Sequence, residues 1–313
     1  LAFLNEIGVD GVIVQDMAVF DYIVNHFPDM EAHCSTQMGI DDLDGTLFWK
    51  ELGAERVVLA REVDIEKAKK IRREAKVPIE IFVHGALCVS YSGNCLMSGL
   101  IGYRSGNRGR CVGSCRKLYE LLNKTTGKSL GTSYLLSTKD LNTIDYIKDL
   151  KELDSLKIEG RMKSPYYVAT VVNAYRRRID AILSGTASPE NTALLERELN
   201  AASHRPYSSG FYFGELIHHA PDTGAYLQDC TFVGVVQSQI GDRIAFECRN
   251  KIHSGDRIEV LSPHTLGKSF LAEDIQNASG ESEPAAARPN ELYSMRCEKN
   301  LAPGDILRVR MNG

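Results

Sequence analysis

Several things are missing from this chain of 313 residues. No run of about 18 apolar residues offers a membrane span, and no basic stretch followed by an apolar one opens the chain. With charged residues at 25% of the total, a cytoplasmic protein that does not engage a membrane is the expectation. Nor is there a basic excess. Lys and Arg number 37 against 41 Asp and Glu, a formal net charge of −4, which argues against a broadly cationic, nucleic-acid-coating surface. An H-E-x-x-H run, the mark of one large class of zinc peptidases, is absent. So are the paired C-x2-C knuckles of a small zinc module.

What is present is a concentration of cysteine. Of eight cysteines, four stand at Cys88, Cys95, Cys111 and Cys115, with six, fifteen and three residues between successive members. In a reducing compartment, thiols gathered this tightly are ligands or catalysts sooner than disulfide partners. Soft thiolate donors select iron–sulfur clusters or zinc. The spacing alone leaves three options open: a [4Fe–4S] cluster, zinc, or no metal. The C-x3-C pair of Cys111 and Cys115 predicts two sulfurs one helical turn apart. Cys34, Cys230, Cys248 and Cys297 stand alone, and a lone cysteine usually behaves as a small buried apolar residue.

Residues 80–98 carry Glu80, Phe82, Gly85, Ala86, Leu87, Cys88, Gly93, Cys95, Met97 and Ser98, and position by position this resembles the signature of the U32 peptidase family. HCSTQ (33–37), VVLARE (57–62), NRGRCVGSC (107–115), STKDL (137–141) and SLKIEGRMKS (155–164) are similar to the same family. The resemblance implies one of two activities. Some members are collagenase-like peptidases, and others are hydroxylation proteins that make 5-hydroxyuridine in tRNA, hydroxylate a cytidine in ribosomal RNA, or serve ubiquinone synthesis. It also implies a [4Fe–4S] cluster and an oxygen atom drawn from a prephenate-derived donor. Relatives commonly place a cluster ligand just after KDL, where this chain has Asn142. An amide is a poor iron ligand, so either Cys115 or Cys34 supplies the fourth thiolate, with Cys115 preferred, or the cluster is labile or absent.

A pass along the chain predicts α/β architecture. GVIVQD (11–16), MEAHCSTQ (30–37), ERVVLARE (55–62), IEIFVHGA (79–86) and DSLKIEG (154–160) are short apolar runs with polar ends. Helical stretches at Val19–Phe27, Asp42–Leu52 and Asp64–Glu74 separate the first four, a pattern of parallel βαβ units. The expectation over 1–163 is a partial TIM-type β/α barrel with a Cys-rich insertion at 86–118. Only about five strands are visible, and the opening LAFLNEIGVDG reads as a chain whose first βα units are missing. Residues 164–220 are expected as a helical extension, with a long helix from Ser164 to Leu183 whose stripe of Val168, Val171, Val172, Tyr175, Ile179 and Ile182 packs into a core. Residues 221–313 are expected as a small antiparallel β-barrel with turns at Gly241-Asp242, Gly255-Asp256 and Gly304-Asp305. SGESEPAAARPN (279–290) reads as a surface loop.

In a β/α barrel the chemistry collects where strands end. Glu80, His84, Lys157 and Glu159 are the candidate catalytic groups, able to bind a polar substrate or shuttle protons. His33, Gln37 and Arg161 are candidate substrate contacts at the same rim. Arg104, Arg108 and Arg110, with Arg116 and Lys117 nearby, form a local cationic patch fit for phosphates, and Tyr91 can stack a flipped base. The leading expectation is tRNA uridine C5 hydroxylation on tRNA or another RNA, with a protein partner possible. A peptidase using Cys88 and His84 is the alternative, and a cluster-carrying partner without turnover is the third.

Overall fold

A computed structural model describes residues 1–214 and 224–311. The chain forms two compact units: 1–161 with 205–225, and 162–204 with 226–313. The expected junction between extension and C-terminal domain, at 220 and 221, lies outside the described residues.

In the first unit, β1 (Gly11–Val14), β2 (Glu31–Cys34), β3 (Arg56–Val58) and β4 (Ile79–Ala86) pair in parallel, each with the next. After the hairpin of β5 (Tyr119–Leu122) and β6 (Ser129–Ser133), which follows the Cys-rich segment, comes β7 (Asp140–Asn142), which runs antiparallel to the end of β4. β8 (Ser155–Ile158) pairs in parallel with β4, and β9 (Tyr207–Ser208) with β7. The result is a half-barrel sheet whose five parallel strands, β1 to β4 and β8, are those read from the sequence. The connecting helices form for local reasons. α1 (Ala2–Glu6) precedes β1, while α2 (Met17–His26), α3 (Leu43–Glu51) and α4 (Ile65–Ala75) each start at an aspartate, Asp16, Asp42 or Asp64, whose carboxylate accepts from the backbone three residues on. α4 buries Ile65, Ala68, Ile71 and Ala75 at helical spacing.

In the second unit, α5 (Met97–Gly102) having already occurred in the insertion, the helices are α6 (Pro165–Leu183) and α7 (Pro189–Asn200). Each has a serine N-cap followed by proline in the first turn. These helices group with the C-terminal strands and do not stand alone, while 205–214 returns to the first unit's sheet. The α6 stripe differs from expectation. Tyr166, Tyr167, Thr170, Val171, Ala174 and Tyr175 are buried, whereas Val168 and Val172 are exposed at 44% and 46%. Two aromatic rings at the N-terminal turn rotate the buried face away from those valines.

The strands of this unit are β10 (Cys230–Ile240), β11 (Arg243–Cys248), β12 (Ile252–His253), β13 (Arg257–Leu261), β14 (Ser269–Leu271), β15 (Glu273–Asn277), β16 (Ala285–Ala286), β17 (Leu292–Arg296) and β18 (Ile306–Arg310). Seven make one antiparallel sheet in the order β14-β13-β18-β10-β11-β17-β15, and β12 pairs with β16. Ile244, Phe246, Ile258, Met295 and Leu307 are at the centre of a single buried cluster. All three glycines of the Gly-Asp turns have positive φ, which explains why glycine sits there. The 279–290 loop contains the short strand β16, a detail its composition hid.

Candidate functional site

Because β1 to β4 and β8 run in parallel, their C-terminal ends share one edge of the sheet, and the Cys-rich insertion is pinned to that edge at several points. The Ser92 hydroxyl accepts the Arg61 amide at 3.1 Å, and the Ser92 amide donates to the Glu62 carboxylate at 3.0 Å, just past β3. Gly93, at φ +79°, abuts the backbone of Gln37 beyond β2 so closely that any Cβ would collide with the Gln37 carbonyl. The Asn107 amide donates to the Gly93 carbonyl at 2.7 Å. Past β8, the Arg161 guanidinium donates to the Gly109 carbonyl. Gly85, at φ +105°, lets β4 approach Glu159, whose amide donates to the His84 carbonyl at 2.8 Å. Only glycine fits there, because a side chain would strike the Glu159 backbone.

The thiols differ in setting. Cys88 and Cys111 are exposed, and Cys95 and Cys115 are half-buried. The Gly113 amide donates to Cys111 Sγ at 3.3 Å, a contact that stabilises negative charge on that sulfur. Burial pushes the Cys115 thiol up, against the pull of Arg116, and the charges of Cys111 and Cys88 add to the rise while Arg205 opposes it. The expected helical turn between Cys111 and Cys115 is not formed: Gly113 at φ +67° breaks the path, and a short 3-10 turn begins only at Ser114. Among the described residues no three His, Cys, Asp or Glu groups converge as a ready-made metal site. The donor chemistry fits a thiolate-bound group; a closed ligand set is not preformed. Cys34 is fully buried in β2, and burial pushes its thiol up to about 12. It is the poorer candidate for a fourth ligand. Asn142, at the alternative position, accepts the Ile144 amide with its side-chain oxygen at 3.1 Å.

The candidate catalytic groups separate into two sets. His84 is buried near the end of β4, its ring 5.4 Å from that of Tyr207, and Glu159 lies 3.8 Å from Arg61. Arg61 itself is stacked over Phe82 at 3.9 Å. Glu80 sits four residues earlier, about 13 Å back along the strand by its ordinary rise. There it accepts from Lys157 at 2.8 Å and Ser155 at 2.8 Å and faces Arg56 at 3.4 Å. Burial raises the Glu80 carboxyl, but those hydrogen bonds and the Lys157 and Arg56 charges outweigh it and hold the group below its ordinary value. His33 turns toward the start of its strand, Nε2 lying 2.7 Å from Glu31. Gln37 stays at the rim with a buried Oε1 that has no hydrogen-bond partner among the described residues. Tyr91, Arg104, Arg108, Arg110 and Arg161 are exposed on the insertion side of the sheet.

Sequence reading missed the buried ion pair behind this site. Arg205, 3% exposed, donates through Nε to Asp140 at 2.9 Å and through Nη1 to the Thr138 hydroxyl at 2.9 Å. The Thr138 hydroxyl in turn donates to the Leu87 carbonyl, next to Cys88, at 2.7 Å. An ion pair joining residues 65 positions apart leaves no local pattern, although the KDL stretch contains one half of it.

The profile of Peptidase family U32 matches residues 1–219, and that of the Peptidase family U32 C-terminal domain matches residues 228–308. The chain belongs to peptidase family U32. Its relatives within the family have divergent names. It is 33% identical to "tRNA hydroxylation protein P1" of Bacillus subtilis, over 98% of this chain and 76% of that protein. A "Collagenase" of Porphyromonas gingivalis is 32% identical over 96% of this chain and 76% of its own length. The "23S rRNA 5-hydroxycytidine C2501 synthase" of Escherichia coli is 29% identical, covering 98% of this chain and 46% of that protein.

Proposed function

We propose that this U32 chain takes part in RNA hydroxylation, acting at C5 of a tRNA uridine to give 5-hydroxyuridine. The carrying observation is the seating of the Cys-rich insertion, with its four cysteines, on the strand ends. The names of the tRNA-hydroxylating and rRNA-hydroxylating relatives support an RNA substrate. On this reading the half-barrel sheet is part of a TIM-type barrel. Cys88, Cys95, Cys111 and Cys115 would hold a [4Fe–4S] cluster, zinc being the other metal such thiolates take; when bound, the cluster supplies electron-transfer chemistry. Exposed Arg104, Arg108 and Arg110 grip backbone phosphates, and Tyr91 stacks the extruded base. His84 and Glu159 provide polar groups at the rim. Glu80 and Lys157, satisfied by each other and by Arg56 and Ser155, brace the sheet from its opposite end. The oxygen comes from a prephenate-derived donor, with a partner protein completing the system.

Mass spectrometry of tRNA nucleosides from cells with and without the gene tests the reading. Loss of 5-hydroxyuridine is expected, and an unchanged level rejects it. The collagenase name of one relative favours peptide hydrolysis as a second reading. That reading requires gelatin cleavage by the purified chain that disappears in Cys88→Ala.

A further inference from the structure

The second unit has a cationic pocket remote in sequence from the Cys-rich insertion. Its volume is about 210 Å³, between α7 and one face of the C-terminal sheet. The sheet alternation explains the face: Glu259 of β13 is opposite both Ser269 of β14 and Arg308 of β18, and Arg257 and Arg310 lie two residues further along on the same side. α7 contributes Leu194, Arg197 and Glu198.

The charges in this pocket do not cancel. Buried Arg308 donates to both oxygens of Glu198, at 2.7 and 2.8 Å, and to Glu259 at 3.1 Å. Arg310 shares Glu259 at 2.8 Å and meets Asp229 at 3.5 Å. Those carboxylates are consumed by the inner arginines. Among the described residues, Arg257 finds only the Ser269 hydroxyl, at 3.0 Å, and Lys268 only the Asn300 carbonyl, at 2.6 Å. Arg197 reaches Glu259 at 3.5 Å with its side chain 57% exposed. Among the described residues, Arg257 and Lys268 thus have no carboxylate partner and Arg197 has only a share of Glu259, in a chain whose formal net charge is −4. The fixed inner network holds the sheet face rigid beneath them, and an unneutralised cationic cavity of this kind selects an anion with several acceptor oxygens.

We infer that this pocket binds a backbone phosphate of the RNA substrate, with Arg257, Lys268 and Arg197 as its contacts. The inference rests on the RNA reading of the protein and deepens it by adding an anchoring site on the C-terminal unit. The contacts are electrostatic and independent of base sequence, so they govern affinity and its salt dependence, not the choice of base.

The test is fluorescence-anisotropy titration of labelled tRNA with the full chain, at several salt concentrations, for the wild type and for Arg257→Ser/Lys268→Ser. Arg257 is exposed and Lys268 half-buried, and neither belongs to the buried core, so folding is preserved, as circular dichroism checks. The double variant is expected to bind several-fold more weakly, with a shallower salt slope by about one to two contacts. Equal affinity and slope in the two proteins, with the wild type binding tRNA, overturns the pocket and leaves the RNA reading standing. Failure of the wild type to bind tRNA at all overturns both. A third arm titrates inorganic phosphate alone by calorimetry; binding there that the double variant abolishes, without any change in tRNA affinity, overturns the RNA assignment in favour of a small phosphorylated ligand.

Discussion

The two units use cysteine in opposite ways. In the C-terminal unit Cys248 and Cys297 lie in the sheet's hydrophobic core and Cys230 is buried beside Glu259, all 0–2% exposed, and burial raises each thiol, that of Cys230 to about 11. In the first unit Cys88 and Cys111 are exposed on a glycine-rich insertion, with a backbone amide aimed at Cys111 Sγ. Same residue, different work: where strands pack on both sides a thiol is a small apolar filler, and where the backbone loops over strand ends it is available as a ligand.

The widest separation between the two kinds is expected in alkylation of the metal-free chain. Cys88 and Cys111 react with iodoacetamide many-fold faster than Cys34, Cys230, Cys248 or Cys297, as peptide mass spectrometry reads directly. Equal rates would erase the distinction. Core deletion comes next. Phe246→Ala, at a fully buried site in the C-terminal cluster, is expected to cost about 3–5 kcal/mol in denaturant unfolding, while Tyr103→Ala, 93% exposed on the insertion, stays within about 0.5 kcal/mol.

Among the described residues each unit also has one deeply buried ion pair, Arg205 with Asp140 and Arg308 with Glu198. Removing one partner leaves a buried charge uncompensated, so Arg205→Met costs about 3–5 kcal/mol, and the companion change Asp140→Leu recovers a large part of it. If the single and double variants unfold alike, the pair is not the brace behind Cys88 that the hydrogen-bond chain through Thr138 describes.

The smallest effect is acid sensitivity. The Glu80 carboxyl is held below its ordinary value in the folded chain, so its stabilising contribution is complete above the unfolded-state value of about 4.3 and fades as pH falls through the folded one. Lys157→Met should flatten that acid limb of the stability curve without altering the neutral plateau's shape. An unaltered acid limb would remove Glu80 from the brace.

How much of this was legible beforehand follows from what leaves a local trace. The five parallel strands and the helices capped by Asp16, Asp42, Asp64 and Ser164 were readable, because capping and periodicity act over a few residues. β7 and β9 were not, since Asp140–Asn142 and Tyr207–Ser208 are too short to show a period and are stabilised by the Arg205 pair between them. The α6 stripe was misread at Val168 and Val172 because apolar spacing alone does not say which neighbours the packing favours. At the site, the cysteine grouping was plain and the separation of Glu80 from His84 was not. Residues on one face of a strand share a direction but not a location, and the Lys157 contact that holds Glu80 at the strand's start is a tertiary one.

The central claim is that the insertion's four thiols hold iron in a protein that modifies RNA. Anaerobic purification of the full chain, followed by iron and sulfide analysis with an absorption spectrum, tests it most directly. The account predicts about four irons and four sulfides per chain, reduced or lost in Cys115→Ala and unaffected in Cys34→Ala. A colourless protein, zinc-loaded or metal-free, or one whose iron survives Cys115→Ala and vanishes in Cys34→Ala, would contradict it.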